Sequence, residues 1–372
     1  MSKNILTRTF AAFAGIAMIA GLAACGDNAT ATDASSSDKT APISGSFQGA
    51  GASSQQAAVE AWISGFQASN PDAKIAYNPS GSGAGVTTFL TGATAWAGSD
   101  KALSADEVEQ SKSVCADGAA FDVPVYISPI AVVFNLKGVS DQGEHVNMDA
   151  STIAKIFDGK ITTWNDPAIA SQNPKLDLPD TPITVVHRSD KSGTTQNFVS
   201  YFKDVAPDDW TYDLSENWPN EVGQGAKGTS GVISTVKMAD GTIGYADFSQ
   251  VGELGTVAVK VGDSYTEISA EAGSKVIEDS ERDADATGDH RVVLKVNHTT
   301  EAKGAYPIVL VSYDVVCPAY KDAEQAKFAK AWLTYVTSDA GQQAASAAAG
   351  TAPLPASLSA DIAASIEAIK TK

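Results

Sequence analysis

The sequence is poor in the residues that hold metals and nucleic acids. Its 372 residues include three cysteines and four histidines, too few for a structural zinc site to be expected. Basic residues are also scarce, since 26 Lys and Arg stand against 44 Asp and Glu, for a formal net charge of −18. Nucleic-acid-binding domains usually carry the opposite sign, so we expect no nucleic acid as a partner.

The short motifs of common hydrolases and nucleotide-binding enzymes are missing too. The chain contains no G-x-S-x-G, no H-E-x-x-H and no G-x-x-x-x-G-K-[ST], which mark a serine nucleophile, a zinc protease and a phosphate-binding loop. His187 lies near Ser189 and Asp190, but neighbours along a strand point to opposite faces, so a triad is not expected there. We therefore predict no catalytic residue, no metal and no cofactor.

One long apolar run is present, at the start of the chain. Lys3 and Arg8 precede the run Phe10–Leu22, which is short for a membrane span and typical of an export signal. The run ends in Leu-Ala-Ala-Cys at residues 22–25, which resembles a bacterial lipobox. We expect a signal peptide over residues 1–24 and a lipid on Cys25, although an ordinary secretory signal with a chance cysteine is the alternative.

The residues after Cys25 are small and polar. Residues 25–43 are rich in Ala, Thr, Ser and Asp and cannot bury enough apolar surface to fold, so they predict a flexible tether. The protein is therefore expected outside the cytoplasm, attached to the outer face of the membrane by its lipid alone.

Two cysteines, Cys115 and Cys317, remain after Cys25 is assigned to lipid. An even pair in an exported chain favours a disulfide between them. Two separate buried thiols are the alternative.

Helix-like and strand-like patterns alternate from residue 44 onward, which predicts an α/β fold. Residues 55–66 carry apolar side chains at helical spacing. Residues 123–127 and 130–135 read as two separate apolar strands. Residues 151–157 read as a helix with Ser151 as its N-cap.

Three segments share one design, in which a strand is followed by small and hydroxyl residues and then by a helix start. Helix N-termini present unpaired N–H groups and a positive dipole end, and glycine lets an anion approach the backbone, so three such starts together could bind an oxyanion. Simple helix capping is the alternative for each segment alone. The segments are 49–54 (GAGASS), 80–85 (SGSGAG) and 188–195 (RSDKSGTT).

Two charged residues stand out near these segments. Arg188 matches the geometry of an oxyanion with a rigid fork of donors, and Asp190 beside it could orient the guanidinium or form an ordinary surface ion pair with it. Asp100 could serve as a turn or capping residue. Within an anion site its carboxylate would accept hydrogen bonds only, so it would favour an anion that still carries a proton.

The three segments, in this order, resemble the phosphate-specific solute-binding proteins of bacterial high-affinity phosphate ABC importers, of an actinobacterial type. Further matches are residues 98–100 (GSD), 123–125 (VPV), 156–166 (IFDGKITTWND), 241–245 (GTIGY) and 306–308 (YPI). The resemblance implies a two-domain, type II periplasmic-binding-protein-like fold, with a hinge and a ligand cleft between the domains. Residues 44–129 and 306–372 would form domain one, and residues 130–305 domain two.

The resemblance also implies the ligand, the partner and the site. Inorganic phosphate would be captured by a monomer and passed to the permease subunits of an importer. Asp100 would read the proton of the phosphate, and Asp190 would orient Arg188. One departure is that the family often has Thr-Phe where this chain has Ser53 and Ser54. The implied phosphate ligands are Ser53, Ser54, Ser82, Asp100, Arg188, Ser192, Gly193 and Thr194.

Two other functions are compatible with an oxyanion cradle. A binding protein for sulfate or molybdate is disfavoured by the acceptor Asp100, which would repel a fully ionised anion. A secreted phosphatase would need a nucleophile with a base, or metals, and the sequence indicates neither.

Overall fold

A computed structural model describes residues 42–140 and 145–371. The predicted signal peptide, Cys25 and nearly all of the predicted tether lie outside these residues. Ile43, the last residue of that predicted tether, is buried, and its backbone N–H donates to Oδ1 of Asn70 at 2.8 Å. Ile43 therefore belongs to the folded part of the chain and not to the tether.

Strands and helices alternate along the described chain, which confirms the predicted α/β class. The strands are β1 (Gly45–Gly51), β2 (Ala73–Asn78), β3 (Trp96–Ser99), β4 (Phe121–Asn135), β5 (Val146–Met148), β6 (Thr184–Arg188), β7 (Gln224–Ala226), β8 (Thr242–Asp247), β9 (Gly255–Val261), β10 (Ser264–Thr266), β11 (Glu281–Arg282), β12 (Leu294–Lys295) and β13 (Val309–Val316). The helices are α1 (Gln56–Ser69), α2 (Ser82–Leu90), α3 (Ala105–Ser111), α4 (Ala150–Phe157), α5 (Pro167–Ala170), α6 (Gly193–Val205), α7 (Gly228–Met238), α8 (Ala270–Glu278), α9 (Ala323–Val336), α10 (Asp339–Ala349) and α11 (Ser359–Glu367).

Strand β4 joins the two halves of the main sheet. Residues 121–129 of β4 pair with β13, and the order continues through β3 and β1 to β2; we call this the first half-sheet. Residues 130–135 of β4 pair with β8, which leads through β6 to β7, while β9 also pairs with β4; this is the second half-sheet. The change of partner after Pro129 supports the predicted boundary between two domains, which stays a prediction.

The prediction of two separate strands on either side of residues 128–129 is wrong, because β4 is continuous. The strand passes through Pro124 and Pro129, although proline lacks the N–H that a sheet ladder uses. Opposite Pro124 the pairing register of β13 shifts between Ser312 and Tyr313, and prolines within sheets are tolerated at such irregularities.

Helix α1 confirms the predicted apolar face. Val59, Trp62 and Phe66 are buried, and the indole N–H of Trp62 donates to the backbone oxygen of Gly341 at 2.8 Å. Helix α4 departs from its prediction, since it begins at Ala150 and its N-cap is Asp149, not Ser151. The carboxylate of Asp149 accepts from the N–H of Thr152 at 2.8 Å, as N-cap side chains do.

Helices of the described segments are all too short or too polar to cross a bilayer.

Cys115 and Cys317 form the predicted disulfide, with their Cα atoms 5.4 Å apart, within the range of about 7 Å that a disulfide can bridge. Cys317 follows the end of β13 and Cys115 follows α3. Both are buried among Val86, Phe89 and Val315. The bond therefore closes a small apolar cluster beside the first half-sheet.

Replacing both cysteines, as Cys115→Ala with Cys317→Ala, should lower the free energy of unfolding by about 2–4 kcal/mol, because the long covalent loop no longer restricts the unfolded chain. Urea titrations of wild type and the double variant measure this difference. Wild type treated with a reductant should show the same lower midpoint. Equal midpoints for oxidised wild type and the variant would contradict a stabilising bond.

Candidate functional site

Ser53 and Ser54 lie between the end of β1 and the start of α1. The strand end approaches β3 so closely that a Cβ on Gly51 would lie 1.9 Å from the backbone oxygen of Gly98, so only glycine fits there. The approach places Ser54 beside Asp100, which follows β3. Strand packing of the first half-sheet therefore brings the first predicted segment to the predicted acceptor.

The carboxylate of Asp100 is the centre of the site. Its Oδ2 accepts hydrogen bonds from the hydroxyls of Ser54 at 2.6 Å and Thr194 at 2.9 Å. Its Oδ1 accepts from the hydroxyl of Ser312 at 2.8 Å, and its backbone N–H donates to Oγ of Ser82 at 3.2 Å. Asp100 is only 2 % exposed. Four hydroxyl residues thus meet around Asp100, of which three donate to its carboxylate and Ser82 accepts from its backbone N–H.

Helix α6 brings the third segment against the second. Ser192 is the N-cap of α6 and its Oγ accepts from the N–H of Thr195 at 3.2 Å. A Cβ on Gly193 would lie 2.8 Å from Oγ of Ser82 and 2.9 Å from Cβ of Asp100. The absent side chain of Gly193 is therefore what lets the N-terminus of α6 reach the N-terminus of α2.

Arg188 ends β6 and is held by a two-pronged ion pair. Its Nε donates to Oδ1 of Asp190 at 2.7 Å, and its terminal nitrogen donates to Oδ2 at 2.5 Å. The N–H of Gly228 also donates to Oδ1 of Asp190, at 2.9 Å. Arg188 is 2 % exposed, so the alternative of a surface ion pair is excluded, and the geometry agrees with the orienting role predicted for Asp190.

Ser53 points away from Asp100. Its hydroxyl lies 3.1 Å from Oγ1 of Thr229, and the N–H of Thr229 donates to it at 3.0 Å. Thr229 lies in the first turn of α7, which flanks the second half-sheet. A fourth helix start therefore joins the three that the sequence predicts.

Sequence reasoning missed Thr229, Ser312 and Gln55. Residues 226–231 (AKGTSG) follow the short strand β7 with glycine and hydroxyl residues before a helix, so they repeat the pattern of the predicted segments and could have been found by it. Ser312 is one hydroxyl within the apolar strand β13. Its direction depends on strand register, for which the sequence offers no signal.

The pKa values of the two aspartates of the site, Asp100 and Asp190, are shifted in opposite directions. Burial raises the pKa of Asp100 above its ordinary value, while hydrogen bonds from Ser54, Ser312 and Thr194 and the charge of Arg188 act against that rise. Burial would also raise the pKa of Asp190, but the hydrogen bonds and charge of Arg188 outweigh it, so the pKa of Asp190 is lowered. Asp190 is therefore a stable counter-ion of Arg188.

Residues 187–190 do not assemble a catalytic triad. The ring of His187 stacks on Trp218, with centroids 5.1 Å apart, and its Nδ1 lies 3.0 Å from the backbone oxygen of Arg188. The carboxylate of Asp190 is taken by Arg188. Over the residues that the structure describes, no three His, Cys, Asp or Glu side chains are grouped so as to hold a metal ion.

Comparisons with known proteins place this arrangement in a family. Residues 36–340 match the sequence profile of the PBP superfamily domain. The chain is 36 % identical over 326 residues to phosphate-binding protein PstS 2 of Mycobacterium tuberculosis, with 86 % of each chain covered. It is 35 % identical over 325 residues to phosphate-binding protein PstS 3 of Mycobacterium leprae, covering 84 % of this chain and 86 % of that one.

A solved structure of a high affinity periplasmic phosphate-binding protein (PfluDING), bound with phosphate, has a TM-score of 0.69 and 21 % sequence identity, covering 86 % of this chain and 93 % of that one. This likeness concerns the fold. Together with the superfamily match, it confirms the predicted periplasmic-binding-protein-like fold.

Asp190→Asn should lower the free energy of unfolding at neutral pH by about 3 kcal/mol, because it leaves the buried charge of Arg188 without its partner. The lowered pKa of Asp190 means that its stabilising effect is present above the ordinary aspartate value of about 4 and is lost as the pH falls through the folded value. Denaturant titrations at neutral and acid pH should therefore show the two proteins converging in stability at acid pH.

The matched control is Asp117→Asn, which removes the exposed ion pair of Asp117 with Lys370. Its stability should differ little from that of wild type. A difference between wild type and Asp190→Asn that persists unchanged at acid pH would contradict the role of the Asp190 charge.

Proposed function

Because the chain belongs to the PBP superfamily and shares a family with the curated phosphate-binding proteins, we propose that it captures inorganic phosphate outside the cytoplasm and delivers it to the permease of an ABC importer. The observation that carries this proposal is the meeting of helix starts and hydroxyl groups around buried Asp100 and Arg188. The N–H groups of these helix starts and the guanidinium suit an oxyanion that has lost its water, while the hydroxyls of Ser54 and Thr194 hold Asp100 beside them.

The donors divide between neutral groups and one charge. The N–H groups in the first turn of α1, α2 and α6 lack partners within their own helices and point along the positive ends of the helix dipoles. Arg188, already oriented by Asp190, adds a charge-assisted donor. The proposed phosphate ligands are Ser53, Ser54, Ser82, Asp100, Arg188, Ser192, Gly193 and Thr194.

Asp100 gives the site its preference. Its carboxylate accepts three hydroxyl hydrogen bonds, and a carboxylate offers about four acceptor positions. The remaining position suits the P–OH group of a phosphate that keeps a proton. Sulfate keeps no proton at neutral pH, so it would be repelled by the charge of the carboxylate without forming a hydrogen bond to it. This argument favours phosphate over the sulfate and molybdate alternatives.

Phosphate binding requires the protein to open. Asp100 and Arg188 are each 2 % exposed, so an anion from solution reaches them only after the flanking segments separate. The proposed motion turns residues 130–305 against residues 44–129 and 306–372. Strand β4 passes between the two parts and allows a hinge motion without unfolding either one.

The protein acts as a carrier and not as a phosphatase. His187 stacks on Trp218 and Asp190 is paired with Arg188, so neither is placed as a base for a hydroxyl nucleophile. Asp100 accepts from three hydroxyls at once and serves in this proposal as the acceptor of the phosphate proton. It works as a monomer, and its contact with the membrane is the lipid on Cys25.

Calorimetry tests the function directly. Wild type should bind phosphate at least about ten-fold more tightly than sulfate, because a buried acceptor left without a donor costs roughly 1–3 kcal/mol before the repulsion between sulfate and the carboxylate is added. Asp100→Asn supplies a donor in place of an acceptor and should reduce this preference. A phosphomonoester should not be turned over.

The control for Asp100→Asn is Asp149→Asn, which alters the carboxylate that caps α4 and accepts from the N–H of Thr152, outside the proposed site. It should keep the preference of wild type. Equal affinity of wild type for both anions would contradict the proposed function, and an unchanged preference in Asp100→Asn would contradict proton reading.

The mature N-terminus is expected to be lipid-modified Cys25, because Leu-Ala-Ala-Cys follows the apolar run of the signal. Intact-mass measurement of membrane-extracted protein should show loss of residues 1–24 and a lipid adduct. Cys25→Ser should remove the adduct. Recovery of unmodified, soluble protein from wild-type cells would argue against the anchor.

A further inference from the structure

Gln55 lies between the proposed phosphate ligand Ser54 and the start of α1. Its side chain is fully buried, which is uncommon for glutamine. Its Nε2 donates to Oγ of Ser312 at 2.9 Å and to the backbone oxygen of Tyr313 at 3.0 Å. The amide therefore links the first predicted segment to β13, at the position where the register of β13 shifts.

Chemistry fixes which way round this amide lies. A backbone oxygen accepts hydrogen bonds only, so the Gln55 atom that faces Tyr313 must be the NH2 group. The same nitrogen contacts Ser312, so Gln55 must be a donor there as well. Its carbonyl oxygen is turned to the other side, 3.4 Å from the hydroxyl of Tyr77.

The orientation of Gln55 decides the role of Ser312. A hydroxyl has one hydrogen to donate. Because Ser312 accepts from Gln55, that hydrogen is available for Oδ1 of Asp100 at 2.8 Å. The two bonds run in one direction, from the amide through the hydroxyl to the carboxylate. Hydrogen bonds donated to a carboxylate favour its ionised form.

We infer that Gln55 is a positioning residue of the phosphate site, which acts through Ser312 to hold Asp100 as an ionised acceptor turned toward the phosphate proton. The inference rests on the proposed capture of phosphate. It assigns selectivity to two residues that need not touch the anion. Ser312 donates to Oδ1 of Asp100, and the Ser54 hydroxyl donates to the other carboxylate oxygen, Oδ2.

A purely structural role for Gln55 would have a different consequence. If the amide only tied α1 to β13, its loss would lower stability and leave the titration of Asp100 unchanged. The pH dependence of phosphate binding therefore separates the two roles. Burial raises the pKa of Asp100 and the hydroxyl donors oppose that rise, so losing a donor should raise this pKa further.

Other groups that interact with Asp100 do not confuse this comparison. The charge of Arg188 stays positive throughout. Burial keeps the pKa of Tyr77 and Tyr126 well above the ordinary value, so both stay neutral.

Burial raises the pKa of Asp247 to about 7, and Asp247 is the same in all variants. Burial also raises the pKa of Asp314 to about 7, and a hydrogen bond from Gln55 acts against that rise. Ser312→Ala keeps Gln55 beside Asp314, so a shift shared by Gln55→Met and Ser312→Ala reports on Asp100.

The experiment compares wild type, Gln55→Met, Ser312→Ala and the double variant. Met fills the volume of Gln without a donor, and Ala removes only the hydroxyl. Phosphate and sulfate affinities are measured by calorimetry from about pH 5 to 8, the range in which a carboxyl of raised pKa titrates. Ser111→Ala is the matched control, because its buried hydroxyl makes two hydrogen bonds in the first predicted domain without touching Asp100.

Ser312→Ala should bind phosphate about ten-fold more weakly at neutral pH, as expected for one lost hydrogen bond to a charged group. Gln55→Met should weaken binding in the same direction but less, because it removes only the amide that orients the Ser312 hydroxyl. The fall in affinity on acidification should begin about half to one pH unit higher, and the preference for phosphate over sulfate should narrow. The double variant should resemble Ser312→Ala, because Gln55 acts through Ser312. Ser111→Ala should match wild type in all three respects.

Three results would overturn the inference while phosphate capture stands: a Gln55→Met pH profile that coincides with wild type, a preference that is unchanged, or losses that add up in the double variant. Thermal melting of each variant shows whether any loss follows from unfolding, and a Gln55→Met effect explained by unfolding alone would likewise refute it. A wild-type protein that binds no phosphate would instead overturn the proposed function itself.

Discussion

The carboxylate of Asp100, buried and surrounded by hydroxyl donors, is the interaction on which the site depends. An ionised carboxylate is costly to bury unless its oxygens are hydrogen-bonded. The three hydroxyls that satisfy it come from the segment before α1, from α6 and from β13. Because these elements belong to both half-sheets, the site exists only when the whole described fold is assembled.

A second constraint is the sign of the protein's charge. At a formal −18, the chain repels anions at long range, so an anion site cannot rely on a basic surface. The structure instead gathers helix starts and hydroxyls, with one guanidinium whose own counter-ion is built in. Neutral donors hold an anion by direction and distance, which makes the site sensitive to the geometry of its walls.

Local patterns predicted the parts of this site that local patterns control. The pattern of strand, small residues and helix start identified the segments that carry Ser54, Ser82 and Ser192, since this pattern lies within a few consecutive residues. The Cys115–Cys317 disulfide followed from the number of cysteines, since these two remain after Cys25 is assigned to lipid. Ser312 and Gln55 could not be found in this way, because their partners are set by the register of β13 against β4.

The continuity of β4 escaped sequence reasoning for a related reason. The two predicted strands, 123–127 and 130–135, leave out Ser128 and Pro129, yet pairing with β13 before this point and with β8 after it makes one continuous strand. Helix α4 shows the same limit at small scale. Asp149 and Ser151 are both good caps, and the helix begins after Asp149, whose backbone N–H is bound by the distant side chain of Gln172.

The disulfide has a consequence beyond the small cluster that it closes. Cys115 and Cys317 are 202 positions apart, so the chain between them includes all of residues 130–305. A protease that nicks this interval once would produce two fragments that remain one covalent molecule. Cleavage of this kind would not be seen on a non-reducing gel. Because the disulfide keeps the two fragments attached, their remaining noncovalent contacts could still hold them in their native positions.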